Sequence, residues 1–207
     1  SLEEELESTK SRISELNAQP TLTILEQEEL KKLYETNAEL EKQIKLKEKL
    51  AIKEAKEAAE DVVDAYEKNF KYDISEDKMK YYESTMKTGQ NPLLELMAEP
   101  TDISAMLAGL KEMKRLQKEA FYEGDTSSYE MYASDISNYT DSIWEQVNQL
   151  EDYRSKLHDL AILDEMTPEQ SKTLKTIEVQ LDFIYKELDP EAYIKSQFDK
   201  INMVFQQ

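Results

Sequence analysis

Three observations predict an all-α fold. The run from Thr23 to about Thr88 contains neither Pro nor Gly. Apolar residues recur at alternating spacings of three and four along most of the chain. Only three glycines occur in 207 residues, and charged residues make up 34%. That is the composition of helices and coiled coils, not of turn-rich β-structure. The architecture expected is elongated antiparallel coiled-coil hairpins, or a helical bundle, with one very long helix. If helical throughout, the run from Thr23 would span about 95–100 Å at 1.5 Å per residue.

Leu2, Leu6, Thr9, Ile13 and Leu16 put a narrow apolar seam on a first helix over residues 2–18. Pro20 stops it. Thr23-Ile24-Leu25-Glu26 fits a capping box, in which the Thr hydroxyl accepts from an orphan N–H and the Glu reaches back. The second helix then carries Leu30, Leu33, Asn37, Leu40 and Ile44 on one stripe. A connection of about five residues favours an antiparallel pair. Asn37 at an a position is expected to set register at some cost in stability.

Past Ile44 the heptad fails, because Lys47 falls where an apolar residue belongs. Small apolar residues follow, and the Lys53–Glu60 run has high intrinsic helix propensity. Tyr72, Met79, Tyr81, Tyr82 and Met86 extend the helix as an aromatic face. Gly89-Gln90-Asn91-Pro92 breaks it, and Glu99-Pro100 is a second stop.

Thr101 or Asp102 caps a helix with Ile103, Met106, Leu107, Leu110, Met113, Leu116, Ala120 and Phe121, ending near Gly124. Thr126-Ser127-Ser128 starts the longest seam: Tyr129, Tyr132, Ile136, Tyr139, Ile143, Gln146, Leu150, Tyr153, Leu157 and Leu160. Thr167-Pro168-Glu169-Gln170 starts the next helix, with Leu174, Ile177, Leu181, Ile184 and Leu188. Asp189-Pro190 restarts a short last one. The domains expected are 1–88, an N-terminal hairpin with the long helix; 89–102, a break; and 103–207, a C-terminal helical bundle.

Net charge is −19, from 26 basic and 45 acidic residues. Such a chain is repelled by nucleic-acid backbones and anionic membranes, so neither is an expected partner. A charge of this size either keeps a long helical rod solvated or presents an acidic surface to a basic partner. No Cys is present, which excludes disulfides, thiol nucleophiles and zinc-thiolate sites. No apolar stretch approaches the roughly 20 residues of a membrane span. The chain opens Ser-Leu-Glu-Glu, already in helical pattern, as expected of a segment of a longer polypeptide.

The residues offer little chemistry. His158 is the single histidine and falls at an exposed helix position. The glycines stand too far apart for a phosphate loop. Glu3-Glu4-Glu5 and Asp164-Glu165 lack the glycine turn of an EF-hand loop. Asn138-Tyr139-Thr140 matches a glycosylation acceptor, but Tyr139 lies on a helical seam. No nucleophile–base pair and no cofactor motif is present, so neither catalysis nor a cofactor is expected.

The aromatic residues carry more. Twelve tyrosines accompany one tryptophan. Tyrosine at a seam position serves either as core, with its hydroxyl at the rim, or as an adhesive face. The candidate partner interface is Tyr129, Tyr132, Tyr139, Trp144 and Tyr153, with Trp144 as anchor.

One stretch carries a resemblance. It comprises Pro20-Thr21-Leu22-Thr23, Glu28 to Leu33, Thr36-Asn37-Ala38-Glu39-Leu40-Glu41-Lys42-Gln43-Ile44 and the Ala/Lys/Glu run that follows. Residues 19–60 in this way resemble internal coiled-coil segments of phage tail tape-measure proteins from prophages. The resemblance implies a structural role in setting tail length, with tail-tube and tip proteins or other copies of the chain as partners. It also implies residence in the virion tail, or in the host cytoplasm during assembly. The alternatives are a secretion- or conjugation-associated helical adaptor resembling a pilus-tip component, which would be extracellular, and a generic cytoplasmic coiled-coil scaffold.

Overall fold

The computed structural model describes residues 1–70, 72–87, 102–191, 194 and 201. Among these residues the regular structure is helix alone. The chain divides into two compact units, residues 1–57 and 58–207.

In the first unit, α1 spans Leu2–Asn17 and opens on a capping box of Ser1 and Glu4. Helix α2 spans Ile24–Ala59, 36 residues or about 54 Å. Its start is the expected box: Glu26 N donates to Thr23 Oγ1 at 3.2 Å, and Thr23 N to Glu26 Oε2 at 2.9 Å. Side chains join the two helices. Arg12 grips Glu29 with two donors, Nε at 2.7 Å and Nη2 at 3.2 Å. Asn17 Nδ2 donates to Tyr34 Oη at 3.1 Å. Leu16 and Leu40 are buried; Leu2, Leu6, Thr9, Ile13, Leu30, Leu33, Asn37 and Ile44 are half-buried. Every seam position named from the sequence is thus at least partly withdrawn from water.

The Pro- and Gly-free run from 23 to 88 does not form one continuous helix. Helix α2 stops at Ala59, and a turn at Glu60 and Asp61 leads into α3, Val62–Asn69. The chain bends again between Phe70 and Ser75 before α4, Glu76–Lys87. The cause is tertiary packing. Ala59, Val62, Phe70, Ile74 and Met79 are all buried, which no lone rod permits. Their burial outweighs the small local preference for continued helix.

The second unit is built on α5, Ile103–Glu123, α6, Thr126–Ile162, and α7, Pro168–Leu188. The 37-residue α6 is the spine, with α5 and α7 both packed against it. Its buried residues Ile143, Val147, Leu150, Tyr153, Leu157 and Leu160 meet Leu174, Ile177, Leu181 and Ile184 of α7 in one core. Apart from Ser104 the first turns of α5 are apolar all round, and Asp102 to Leu110 are buried without interruption. Gly124 closes α5 in the left-handed region, φ 71°, with Asp125 N donating to Ala120 O at 3.0 Å. Asp125 then caps α6 by accepting from Ser128 N.

Helix α3 packs on α6 and α7, and α4 packs on α5. Residues 58–87 therefore belong with the C-terminal unit, not with the N-terminal hairpin to which the sequence reading assigned them. The boundary falls at Glu57/Ala58 because the apolar residues after it are spent on the second core. The expected break at 89–102 lies outside the described residues except for Asp102, which caps α5, and most of the short last helix lies outside them too.

Candidate partner-binding surface

The five aromatic residues proposed as an adhesive face do not share one fate. Tyr153 is 7% exposed and belongs to the core. Asn69 Nδ2 donates to its hydroxyl at 3.1 Å, and Gln149 Nε2 at 2.9 Å. Phe70 meets its ring edge to face at 6.1 Å. It is removed from the candidate interface, because α3 covers the seam position that a partner would have filled. Tyr132 and Tyr139 are half-buried along α6. Burial pushes the Tyr139 hydroxyl pKa up, with the Asp135 carboxylate adding to the shift.

Trp144 is 40% exposed. Its ring lies 6.0 Å from that of Tyr185 on α7. Tyr185 Oη donates to Glu151 Oε1 at 2.6 Å, and Arg154 bridges the other oxygen of that carboxylate at 2.7 Å. Burial, then the bond to Glu151, raises the Tyr185 pKa. Trp144 therefore sits at the edge of the α6–α7 contact with one face open.

Tyr129 is exposed at the start of α6 and stands 6.1 Å from Phe121 at the end of α5. Here the sequence reading erred on a neighbour. Phe121 was placed on the apolar stripe of α5, but it is 67% exposed, as is Tyr122 at 75%. The stripe runs past the last residue that α6 can cover, so its final aromatics project at the hairpin tip. The signal was available: Phe121 and Tyr122 are neighbours about 100° apart around a helix that ends two residues later at Gly124, so they cannot both face inward. An open cavity of about 370 Å³ at this tip is lined by Ala120, Phe121, Gly124, Asp125, Thr126 and Tyr129.

Asn37 lies half-buried between α1 and α2, its Oδ1 3.4 Å from Thr9 Oγ1. The Thr9 proton is directed to Leu6 O at 2.8 Å, so the amide of Asn37 is weakly held. His158 is exposed, as expected. Among the described residues no cluster of His, Asp and Glu is arranged to hold a metal, and no helix is long and apolar enough to cross a membrane.

What the described residues offer is an all-helical, charge-rich protein with open aromatic surface. No protein-family model, curated protein or solved structure matches the chain.

Proposed function

We propose that this chain is a structural, assembly-directing segment without catalysis, of the kind found in phage tail tape-measure proteins. In this reading α1 and α2 form an antiparallel coiled-coil hairpin, the particle is elongated, and the partners are tail-tube or tip proteins or further copies of the chain. Its place is the virion tail, or the host cytoplasm while tails assemble. The observation that carries the reading is the seam of α1 and α2, in which each three–four-spaced residue is buried or half-buried while the flanks are charged and exposed. A second support is the continuation of α2 past Ile44 with Leu46 and Leu50 more than half exposed. A helix with uncovered leucines is suited to taking a neighbour.

Two measurements test this. Crosslinks between cysteines introduced at positions 6 and 40 are expected within one chain; exclusively intermolecular products would sink the hairpin. In a phage whose tail protein contains this segment, duplicating residues 24–59 in frame is expected to lengthen the tail by about 54 Å, at 1.5 Å per helical residue. Tails of unchanged length would exclude the tape-measure role.

A further inference from the structure

We propose that the chain associates head to tail with a second copy of itself. The aromatic, acidic tip of the α5–α6 hairpin in one copy docks on the lysine-edged face of α2 in the next. Each surface is an observation on a separate unit. On α2, Lys42, Lys45, Lys49 and Lys53 follow a 3–4–4 spacing that places them on one stripe, and all are exposed. Leu46 and Leu50, one turn apart and 57% and 54% exposed, adjoin the stripe. From Lys42 to Lys53 the single acidic residue is Glu48, in a chain whose net charge is −19.

Within the stripe Lys53 pairs at 3.9 Å with Glu57; the basic group of α5 is held by closer carboxylates. Lys111 bridges Glu83 at 2.9 Å, and Arg115 bridges Glu112 at 2.6 Å and Glu119 at 3.0 Å. The stripe on α2 thus stands out as cationic surface beside uncovered leucine.

The hairpin tip has the opposite character. Phe121, Tyr122 and Met131 are exposed, and Phe121 and Tyr129 flank the open cavity. Residues 120–131 contain Glu123, Asp125 and Glu130 and no Lys or Arg, with Asp125 also capping α6. Apolar side chains meet leucines, and carboxylates meet lysines. Neither surface is complementary to itself, since lysine would face lysine and carboxylate would face carboxylate. The contact joins two different surfaces; repeated head to tail, it builds an open row where the rotation does not close and a ring where it does. The proposal stands whether or not the chain belongs to a phage tail.

Sedimentation of the whole chain over rising concentration is the test. At about 50 mM salt the average mass is expected to climb with concentration, and at about 500 mM the climb is expected to shrink as the charges are screened. The stripe variant Lys45→Glu/Lys49→Glu and the tip variant Phe121→Ser/Tyr122→Ser alter exposed positions, so helicity by circular dichroism should be unchanged. Each alone is expected to weaken association by about tenfold or more. Mixed together, each variant retains the surface that the other lacks, so the mixture should form one-to-one dimers and nothing longer. A chain that stays monomeric at low salt overturns the proposal. So does association that survives both variants, or a mixture that fails to pair.

Discussion

At the scale of single residues, hydroxyls decide more than charges. Tyr153 accepts from Asn69 and from Gln149 inside the core, so Tyr153→Phe leaves two donors without their acceptor. We expect a loss of about 1–3 kcal/mol, read from a denaturant melt; an unchanged midpoint would mean the two amides find other partners at no cost. The tyrosines also set the alkaline limit. Burial raises the pKa of Tyr66, Tyr82, Tyr139 and Tyr185 above the ordinary value. A raised folded pKa adds stability that is complete below the unfolded value of about 10, and is lost as pH climbs toward the folded one. A tyrosinate absorbance titration should therefore show a late fraction that ionises together with loss of helicity. If all twelve tyrosines ionise near the ordinary value with the helices intact, the buried hydroxyls are solvated. Asn37 behaves differently. Its amide is weakly held and half-buried, so Asn37→Leu is expected to stabilise the first unit by about 1 kcal/mol through added apolar burial, with looser register. Thermal melts with light scattering on the variant check both effects.

At the scale of elements, what the sequence made legible was periodicity and punctuation. The seams of α1, α2 and α7 and the caps at Thr23, Asp102 and Thr167 are where residue spacing placed them, because these signals are local; along α6 the spacing fails at Tyr129, which is exposed, and at Gln146, beside which Val147 is the buried residue. The bends at Glu60 and Phe70 were not legible from propensity: the Ala/Lys/Glu run favours helix right up to the point where a distant core draws the chain aside. One local clue was missed. Ser75 ahead of Glu76 and Asp77 is a helix start, and Lys78 N does donate to Ser75 Oγ at 3.2 Å. Of the candidate interface, Tyr129 and Trp144 keep an open face. Tyr153 does not, since no single-helix pattern reveals that α3 would fold across it. The join between α3 and α4 is pinned by Ser104, which is wholly buried. Its Oγ donates to Asp73 O at 2.7 Å and accepts from Ser75 N at 3.2 Å. Ser104→Ala would strand both backbone groups and is expected to cost about 1–3 kcal/mol. Amide exchange at residues 72–75 should quicken with it; protection unchanged there would show that solvent already serves these groups.

At the scale of the whole molecule, the division at Glu57/Ala58 separates a thin unit from a thick one. The first contains two buried leucines, Leu16 and Leu40, whereas the second buries six residues of α6 and six of α7. A fragment of residues 58–207 is expected to melt cooperatively by itself, and residues 1–57 to be marginal in isolation. Equal stability of the two fragments would contradict the burial. The distribution of chromophores follows the same division. The single tryptophan, Trp144, leans on Tyr185 in the second unit, while the first contains one aromatic ring, Tyr34. Tryptophan emission is therefore blind to the first unit and reports on α7 leaving α6. Far-ultraviolet ellipticity counts every helix. Followed through one titration, the two signals should part company, ellipticity falling first and emission later, and the gap between them measures how independently the two units unfold.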